Sequence, residues 1–180
     1  IILGNPPFFT PKGGIIPHNR FSVKSKRAEV LFLDYINEHL KPNGRAGIIV
    51  PEGIIFRRDT GYKILREKIL KNSLIGIISL PTGIFKPYSG VKTSILILDK
   101  KENKKIDYVY FSEIKNDGFS LTENRIPIDG SELPSVKKLI KNKNFSDEKL
   151  FKKILKKDII KGNIREHIKK ETENNGEFEF

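Results

Sequence analysis

The chain has 180 residues, carries a formal net charge of +12 and has an isoelectric point of about 9.7. It contains no cysteine and three histidines, so a disulfide scaffold and a thiolate zinc site are excluded and we expect no metal centre. No apolar run approaches the roughly 20 residues that cross a membrane and no signal peptide is visible, which predicts a cytoplasmic protein without membrane association.

The first predicted element is a short buried strand over residues 1–4, which leads into Asn5-Pro6-Pro7-Phe8. Proline has no backbone N–H and a fixed φ, so the Pro-Pro pair ends the strand and holds Asn5 in extended geometry. The amide of Asn5 is thereby presented at the carboxyl end of the strand, where ligands bind in open α/β sheets. An ordinary strand-to-loop transition with Phe8 in the core explains the same four residues.

The composition of residues 9–25 predicts a loop, which is long for a compact α/β connection and therefore favours function or mobility. Residues 26–40 are predicted to form a helix with one apolar face. The members of that face are Ala28, Leu31, Phe32, Tyr35, Ile36 and Leu40. Pro42 and Gly44 supply the signals that end this helix.

The next segments alternate in the manner of an α/β sheet. Continuous apolar runs over residues 46–50 and 74–80 predict buried strands, and a helix over residues 60–71 connects them. Residues 94–98 predict another strand, and because no helix fits between it and residues 74–80, these two strands are expected to pair antiparallel. An alternating pattern over residues 107–112 predicts an edge strand. This order describes the second half of a doubly wound α/β sheet with a terminal antiparallel hairpin.

Residues 136–180 differ in composition from the rest of the chain. Pairs of lysines alternate there with apolar residues, which predicts a basic amphipathic helical tail that is polar after Glu171. This pattern allows three interpretations. The tail could dock on a partner subunit, lie on DNA or a membrane surface, or pack on its own domain with a solvated lysine face. We therefore divide the chain into an α/β part, residues 1–135, and a helical tail, residues 136–180.

Several segments occur together in a characteristic order. Asn5-Pro6-Pro7-Phe8 is followed by LKPNGRAGIIVPEGIIF (40–56), REKILKNSLIGIISLPTGIF (66–85), GVKTSILILDK (90–100) and NDGFSLTENRIPI (116–128). Over residues 1–135 this series resembles the modification subunits of type I restriction-modification systems, which are N6-adenine DNA methyltransferases. The resemblance implies a Rossmann-like methyltransferase fold that uses S-adenosylmethionine. It also implies partners: duplex DNA with a flipped adenine, and the specificity and restriction subunits of the same system.

The resemblance implies roles for individual residues. Asn5, Pro6 and Phe8 match the catalytic tetrapeptide, with Pro7 as its structural partner. The side-chain oxygen of Asn5 and the carbonyl of Pro6 would accept the two N–H groups of the adenine amine. Phe8 would stack on the flipped base.

The same resemblance implies substrate-binding residues. Phe85 and the turn with Lys92 and Thr93 would border the base pocket, although Phe85 also suits a core position. Lys12 and Arg20 would meet DNA phosphates, although a solvated loop explains them as well. Residues 1–100 carry 16 Lys/Arg against 7 Asp/Glu, which favours a polyanionic partner, although a lysine-rich proteome explains the same excess.

The methyl-donor half of the site has no counterpart in the sequence. The family builds it from an F-x-G-x-G turn and an acidic residue that grips the ribose, so the cofactor-binding residues are unknown, apart from Asn5 adjoining the donor. Methionine is absent and residue 1 lies inside an apolar run, so we expect a fragment that is inactive by itself. A catalytically inactive fragment that binds DNA or a partner is one alternative. A protein-glutamine or RNA methyltransferase, a class that usually carries Tyr in place of Phe8, is the other.

Overall fold

The structure, a computed structural model, describes residues 1–8, 12–142, 145 and 150–160. In chain order the elements are β1 (Ile2–Gly4), α1 (Ala28–His39), β2 (Arg45–Pro51), α2 (Gly53–Phe56), α3 (Thr60–Asn72), β3 (Leu74–Ser79), β4 (Thr93–Asp99), α4 (Lys100–Asn103), β5 (Tyr108–Glu113), α5 (Leu133–Lys141), β6 (Lys152–Leu155) and α6 (Lys156–Ile160). No helix in these ranges has both the length and the apolar character that crossing a bilayer requires.

The strands form one mixed sheet in the order β1-β2-β4-β3-β5-β6. β1 is parallel to β2 and β3 is parallel to β5, whereas β4 runs antiparallel to both of its neighbours. The predicted antiparallel pairing of residues 74–80 with residues 94–98 is thereby confirmed. The carboxyl ends of β1, β2, β3 and β5 and the start of β4 meet on one side of the sheet, which we call the carboxyl edge.

A hydrophobic core on each face makes the sheet a firm support for this edge. On one face α1 and α3 bury Leu33 and Leu65 against strand residues such as Ile48 and Leu96. On the other face α5 places Val136 over β3 and β5. Burial of each large aliphatic side chain contributes about 1.5–3 kcal/mol, so the ends of β2, β3 and β4 are held by packing. The prediction that residues 1–4 form a buried strand is wrong, because β1 is the outermost strand of the described sheet and Leu3 is 83% exposed.

The apolar face predicted for α1 is partly wrong. Phe32 and Tyr35 are 46% and 41% exposed, whereas Val30 and Leu33 are fully buried. The reason is that α1 packs against α3 as well as the sheet, which turns Val30 and Leu33 inward. Phe32 and Tyr35 instead line an apolar groove between α1 and residues 15–21.

The edge strand predicted at residues 107–112 is not at the edge, because β5 pairs with β3 on one side and with β6 on the other. β6 lies in the segment that was predicted to be a helical tail. Helices are observed before and after it in the chain, α5 preceding β6 and α6 following it. The helix prediction is wrong for Lys152–Leu155, which forms an outer strand of the sheet. Ile154 of this strand is buried, and lysines are common on edge strands because their charges discourage further pairing. Residues 161–180 lie outside the described residues, and the division of the chain at residue 135 stays a prediction.

Asp34 joins the loop before α1 to both α1 and α3. Its carboxylate is fully buried and accepts hydrogen bonds from Ser22 Oγ at 3.0 Å, from the backbone N–H of Val23 at 3.3 Å and from Lys68 Nζ at 2.6 Å. A buried carboxylate with these donors is fully compensated. Residues 22–23 are therefore held against the helices.

Alkaline pH is expected to weaken the fold through Tyr62, whose hydroxyl donates to Glu29 Oε1 at 2.6 Å. Burial, and then this hydrogen bond, raise the pKa of Tyr62 to about 12. The unfolded chain has a tyrosine pKa of about 10, so the stability that the neutral phenol contributes is complete below that pH and is lost as the pH rises through the folded value. Between about pH 8 and about pH 11, the free energy of unfolding measured with urea should fall less in Tyr62→Phe than in the parent. Equal losses in the two proteins would contradict this.

Candidate active site at the carboxyl edge

Asn5-Pro6-Pro7-Phe8 lies at the carboxyl edge. The pairing of β1 with β2 ends at Gly4 opposite Ile48, immediately before the two prolines, as their missing N–H groups require. Pro6 is buried and anchors the segment, whereas Asn5 is exposed. The amide of Asn5 is therefore free to meet a ligand from solvent at the end of a strand that the sheet holds in place.

Phe8 and Phe85 come from distant parts of the sequence and were both predicted as site residues. In the structure their side chains lie in contact. Their ring centroids are 5.7 Å apart and the planes are inclined by 79°, an edge-to-face arrangement that aromatic rings favour. Phe85 lies in the turn that follows β3, where Ser89 donates its backbone N–H to the carbonyl of Phe85 at 3.0 Å. Both rings are half-buried, so the contact fixes the orientation of Phe8 while part of its surface stays accessible.

Lys92 and Thr93 stand where β4 begins at the same edge. Thr93 is opposite Pro51 of β2, and its carbonyl accepts the N–H of Leu80 beyond the end of β3. Its side chain is fully buried, and the hydroxyl has no hydrogen-bond partner among the described residues. Thr93 thus lies within the sheet, beneath the surface that a substrate would meet, whereas Lys92 retains exposed surface.

Two carboxylates that the sequence analysis did not single out surround Lys92. Its ammonium lies 3.4 Å from Glu52 Oε1 and 3.7 Å from Glu113 Oε1. Ser79 Oγ donates to the same oxygen of Glu52 at 3.5 Å, and the N–H of Glu52 donates to the carbonyl of Lys92 at 3.0 Å. We call Glu52, Ser79, Lys92 and Glu113 the carboxyl-edge cluster. Each carboxylate stands at or just past the end of a buried strand, a signal that could have identified both.

A buried arginine supports the helix that follows Glu52. Arg66 of α3 donates from Nη1 to the carbonyl of Ile54 in α2 at 3.0 Å. Burial lowers the pKa of Arg66, and the bond satisfies part of a desolvated guanidinium. The start of α2, and with it Glu52, is therefore anchored to α3.

The structure does not bring Arg20 together with Asn5. Arg20 Nη2 lies 3.0 Å from His39 Nε2 at the end of α1, and its guanidinium is 5.1 Å from the centre of the Tyr35 ring. Because α1 leads back to the start of β2, this cluster lies toward the opposite side of the sheet. Lys12 is exposed and borders residues outside the described ranges. A phosphate contact by either residue stays a prediction.

Known proteins resemble this chain in sequence and in fold. The sequence matches the family described as N-6 DNA Methylase over residues 1–178. The type I restriction enzyme EcoEI methylase subunit of Escherichia coli is 34% identical over 111 residues, which cover 61% of this chain and 23% of that protein. The chain therefore spans less than a quarter of the length of this relative.

Solved structures share the fold. A chain from a structure of the assembly of a type I restriction-modification system superposes with a TM-score of 0.68 at 24% identity, covering 89% of this chain and 35% of that one. The type I methyltransferase subunit from Streptococcus thermophilus gives a TM-score of 0.66 at 20% identity, with the same coverage. The predicted Rossmann-like methyltransferase fold and the resemblance to type I modification subunits are confirmed. On the match over residues 1–178 and on this shared sheet, the chain belongs to the N-6 DNA Methylase family.

Proposed function

We propose that this chain forms the part of a type I modification subunit that holds the target adenine while its N6 amine is methylated. The observation that carries the proposal is the contact between Phe8, three residues after the exposed Asn5, and Phe85 from a separate segment, which places two aromatic rings at the carboxyl edge near the end of β1. Family membership and the printed name of the Escherichia coli relative, a methylase subunit, support the reaction class.

Asn5 and Pro6 would act on the amine by accepting hydrogen bonds. An exocyclic amine is conjugated with its ring and is a poor nucleophile. Acceptance of one N–H by the Asn5 side-chain oxygen and of the other by the Pro6 carbonyl orients the amine and favours a tetrahedral nitrogen with an available lone pair. The methylated nitrogen is acidic and releases its proton to water, so the mechanism needs no strong base from this chain.

S-adenosylmethionine, the donor that family membership implies, would supply the methyl group as an electrophile. The sequence has no G-x-G-x-x-G or F-x-G-x-G turn, so the residues present do not by themselves form a nucleoside-binding site. We therefore assign to this chain the handling of the base, with Asn5 adjoining the donor. We assign no residue of this chain to binding the rest of the donor.

Duplex DNA and other subunits are the partners that this function requires. The excess of Lys and Arg in residues 1–100 suits a polyanion, and Lys12 and Arg20 are the residues we assign to phosphates. The similarity to a chain from a type I assembly supports association with the specificity and restriction subunits. In this proposal, this chain binds the target base and the specificity subunit recognises the DNA sequence.

The test uses the protein encoded by the native open reading frame that contains this chain, incubated with radiolabelled S-adenosylmethionine. One reaction holds duplex DNA together with the specificity subunit, a second holds RNA, and a third holds a release-factor-like protein. Label recovered as N6-methyladenine in DNA is the expected result. Label on RNA or on protein glutamine, or no label in any of the three, would overturn the proposal.

Phe8→Ala is expected to lower kcat/KM for DNA about 10- to 100-fold, because base–aromatic stacking contributes about 1–3 kcal/mol. Phe8→Tyr keeps the ring and should retain most of the activity. Phe119→Ala is a matched control, since Phe119 is 42% exposed and contacts Arg125 rather than Phe8. Steady-state methylation kinetics check the three variants. A Phe8→Ala enzyme as active as the Phe119→Ala control would remove stacking on Phe8 from the mechanism.

A further inference from the structure

The carboxyl-edge cluster holds Lys92 in a way that determines what its ammonium can bind. Glu52 comes from the end of β2, Glu113 ends β5, and Lys92 precedes β4, so three strands converge on one ammonium. The side chains of Lys92, Glu52 and Glu113 are 28%, 18% and 16% exposed. In such partly desolvated surroundings charge pairs interact more strongly than they do on an open surface.

The turn that carries Phe85 also ends at Lys92, so the cluster and the proposed base site lie along the same carboxyl edge. Ser89 donates its N–H to the carbonyl of Phe85, and Ser89 Oγ accepts the N–H of Val91 at 3.2 Å. The backbone bond between Glu52 and Lys92 closes the end of this turn onto β2. Phe85 and Lys92 are therefore two ends of one braced segment at the carboxyl edge.

The charges around Lys92 limit its role. An ammonium has three N–H donors and no acceptor. Glu52 and Glu113 hold the ammonium as ion pairs at 3.4 and 3.7 Å, so its position is fixed while it can still donate to a ligand. Two carboxylates against one ammonium leave the cluster with an excess negative charge, which disfavours a phosphate at the same place.

We propose that Glu52 and Glu113 are positioning residues that direct the ammonium of Lys92 to a neutral acceptor, such as a ring nitrogen of a nucleobase, and keep it from binding a phosphate. This assignment rests on the proposed function, since the acceptor would belong to the base held by Asn5 and Phe8. It gives Lys92 a role other than the neutralisation of DNA phosphates.

The test compares Lys92→Met, Glu52→Gln, Glu113→Gln and the double variant Glu52→Gln/Lys92→Met in the full-length protein. Glu102→Gln is the matched control, because Glu102 pairs with Lys105 at 3.1 Å on α4, beyond the far end of β4. Methylation kinetics give kcat and KM for DNA. Equilibrium binding over a range of salt concentrations gives the slope of log K against log salt. Urea unfolding verifies that each variant is folded.

Lys92→Met is expected to lower kcat/KM about tenfold, the value of one charge-assisted hydrogen bond, and to leave the salt slope unchanged. Glu52→Gln and Glu113→Gln should each lower kcat/KM about three- to tenfold. Because Glu52 acts through Lys92, adding Glu52→Gln to Lys92→Met should lower kcat/KM by less than about a further twofold. Glu102→Gln should behave like the parent.

Two results would overturn this assignment while the parent enzyme methylates DNA. A salt slope that falls by about one in Lys92→Met would identify a phosphate contact. A loss from Glu52→Gln that persists in full when Lys92 is already methionine would show that Glu52 does not act through Lys92. A parent enzyme that methylates no DNA would instead overturn the proposed function, and this assignment with it.

Discussion

Asn5→Ala is expected to lower methyl transfer by the full-length protein at least about 100-fold while leaving its affinity for duplex DNA within about twofold. The substitution removes the side-chain acceptor that orients the amine, an interaction used at the reacting atom and not in holding the DNA. Because Asn5 is exposed, the change should leave the fold intact. Single-turnover methylation and DNA binding, measured on the same preparation, separate the two effects.

Two further variants make this result specific. Asn5→Asp keeps an acceptor oxygen at the same position and should retain more activity than Asn5→Ala. Asn43→Ala is the matched control, because Asn43 is an exposed asparagine in the turn before β2, at the other side of the sheet. Methylation by Asn5→Ala within a few-fold of the parent would remove Asn5 from the mechanism.

Asp34→Ala is expected to destabilise the protein strongly, lowering the free energy of unfolding by about 3–5 kcal/mol. It leaves the ammonium of Lys68, whose side chain is only 24% exposed, without its carboxylate. It also removes the acceptor of the buried N–H of Val23 and of Ser22 Oγ. An unpaired charge and an unsatisfied backbone donor each carry a desolvation penalty, which explains the size of the effect.

Asp59→Ala provides the comparison, since Asp59 pairs with Arg57 at 2.9 Å on the surface, where the two side chains are 60% and 45% exposed. Such pairs contribute about 0–1 kcal/mol, so this variant should unfold close to the parent. Urea denaturation followed by circular dichroism measures both. Similar midpoints for Asp34→Ala and Asp59→Ala would show that the carboxylate of Asp34 contributes no more than a surface charge.

Local signals were enough to predict most individual elements. Residues 46–50 are apolar without interruption and form the core of β2. Thr60–Asn72 forms the helix that was predicted over residues 60–71, and it buries Tyr62, Leu65 and Ile69. Pro6 and Pro7 end β1 because a proline cannot continue a hydrogen-bonded ladder. These features depend on residues within a few positions of each other, so the sequence alone carries them.

Elements whose environment is supplied by distant residues were predicted less well. Lys152–Leu155 has a lysine-rich pattern that suits a helix, and it becomes a strand because β5 offers an edge with which it pairs. Phe32 and Tyr35 lie on the apolar side of an isolated helix, but they are displaced from the core because α3 occupies the neighbouring face of α1. In both cases a tertiary neighbour outweighs the local preference.

The candidate site divides in the same way. The strand before Asn5, its end at the two prolines and the family resemblance that implies an amine as target could all be predicted from the residues alone. The contact of Phe85 with Phe8, the ion pairs of Lys92 with Glu52 and Glu113, and the position of Arg20 at the far end of α1 became visible only in the folded chain. The physical reason is that a sheet with β4 inserted between β2 and β3 brings strand ends together across large sequence separations. The identity of each strand's neighbour is set by the packing of the whole chain and by no local pattern.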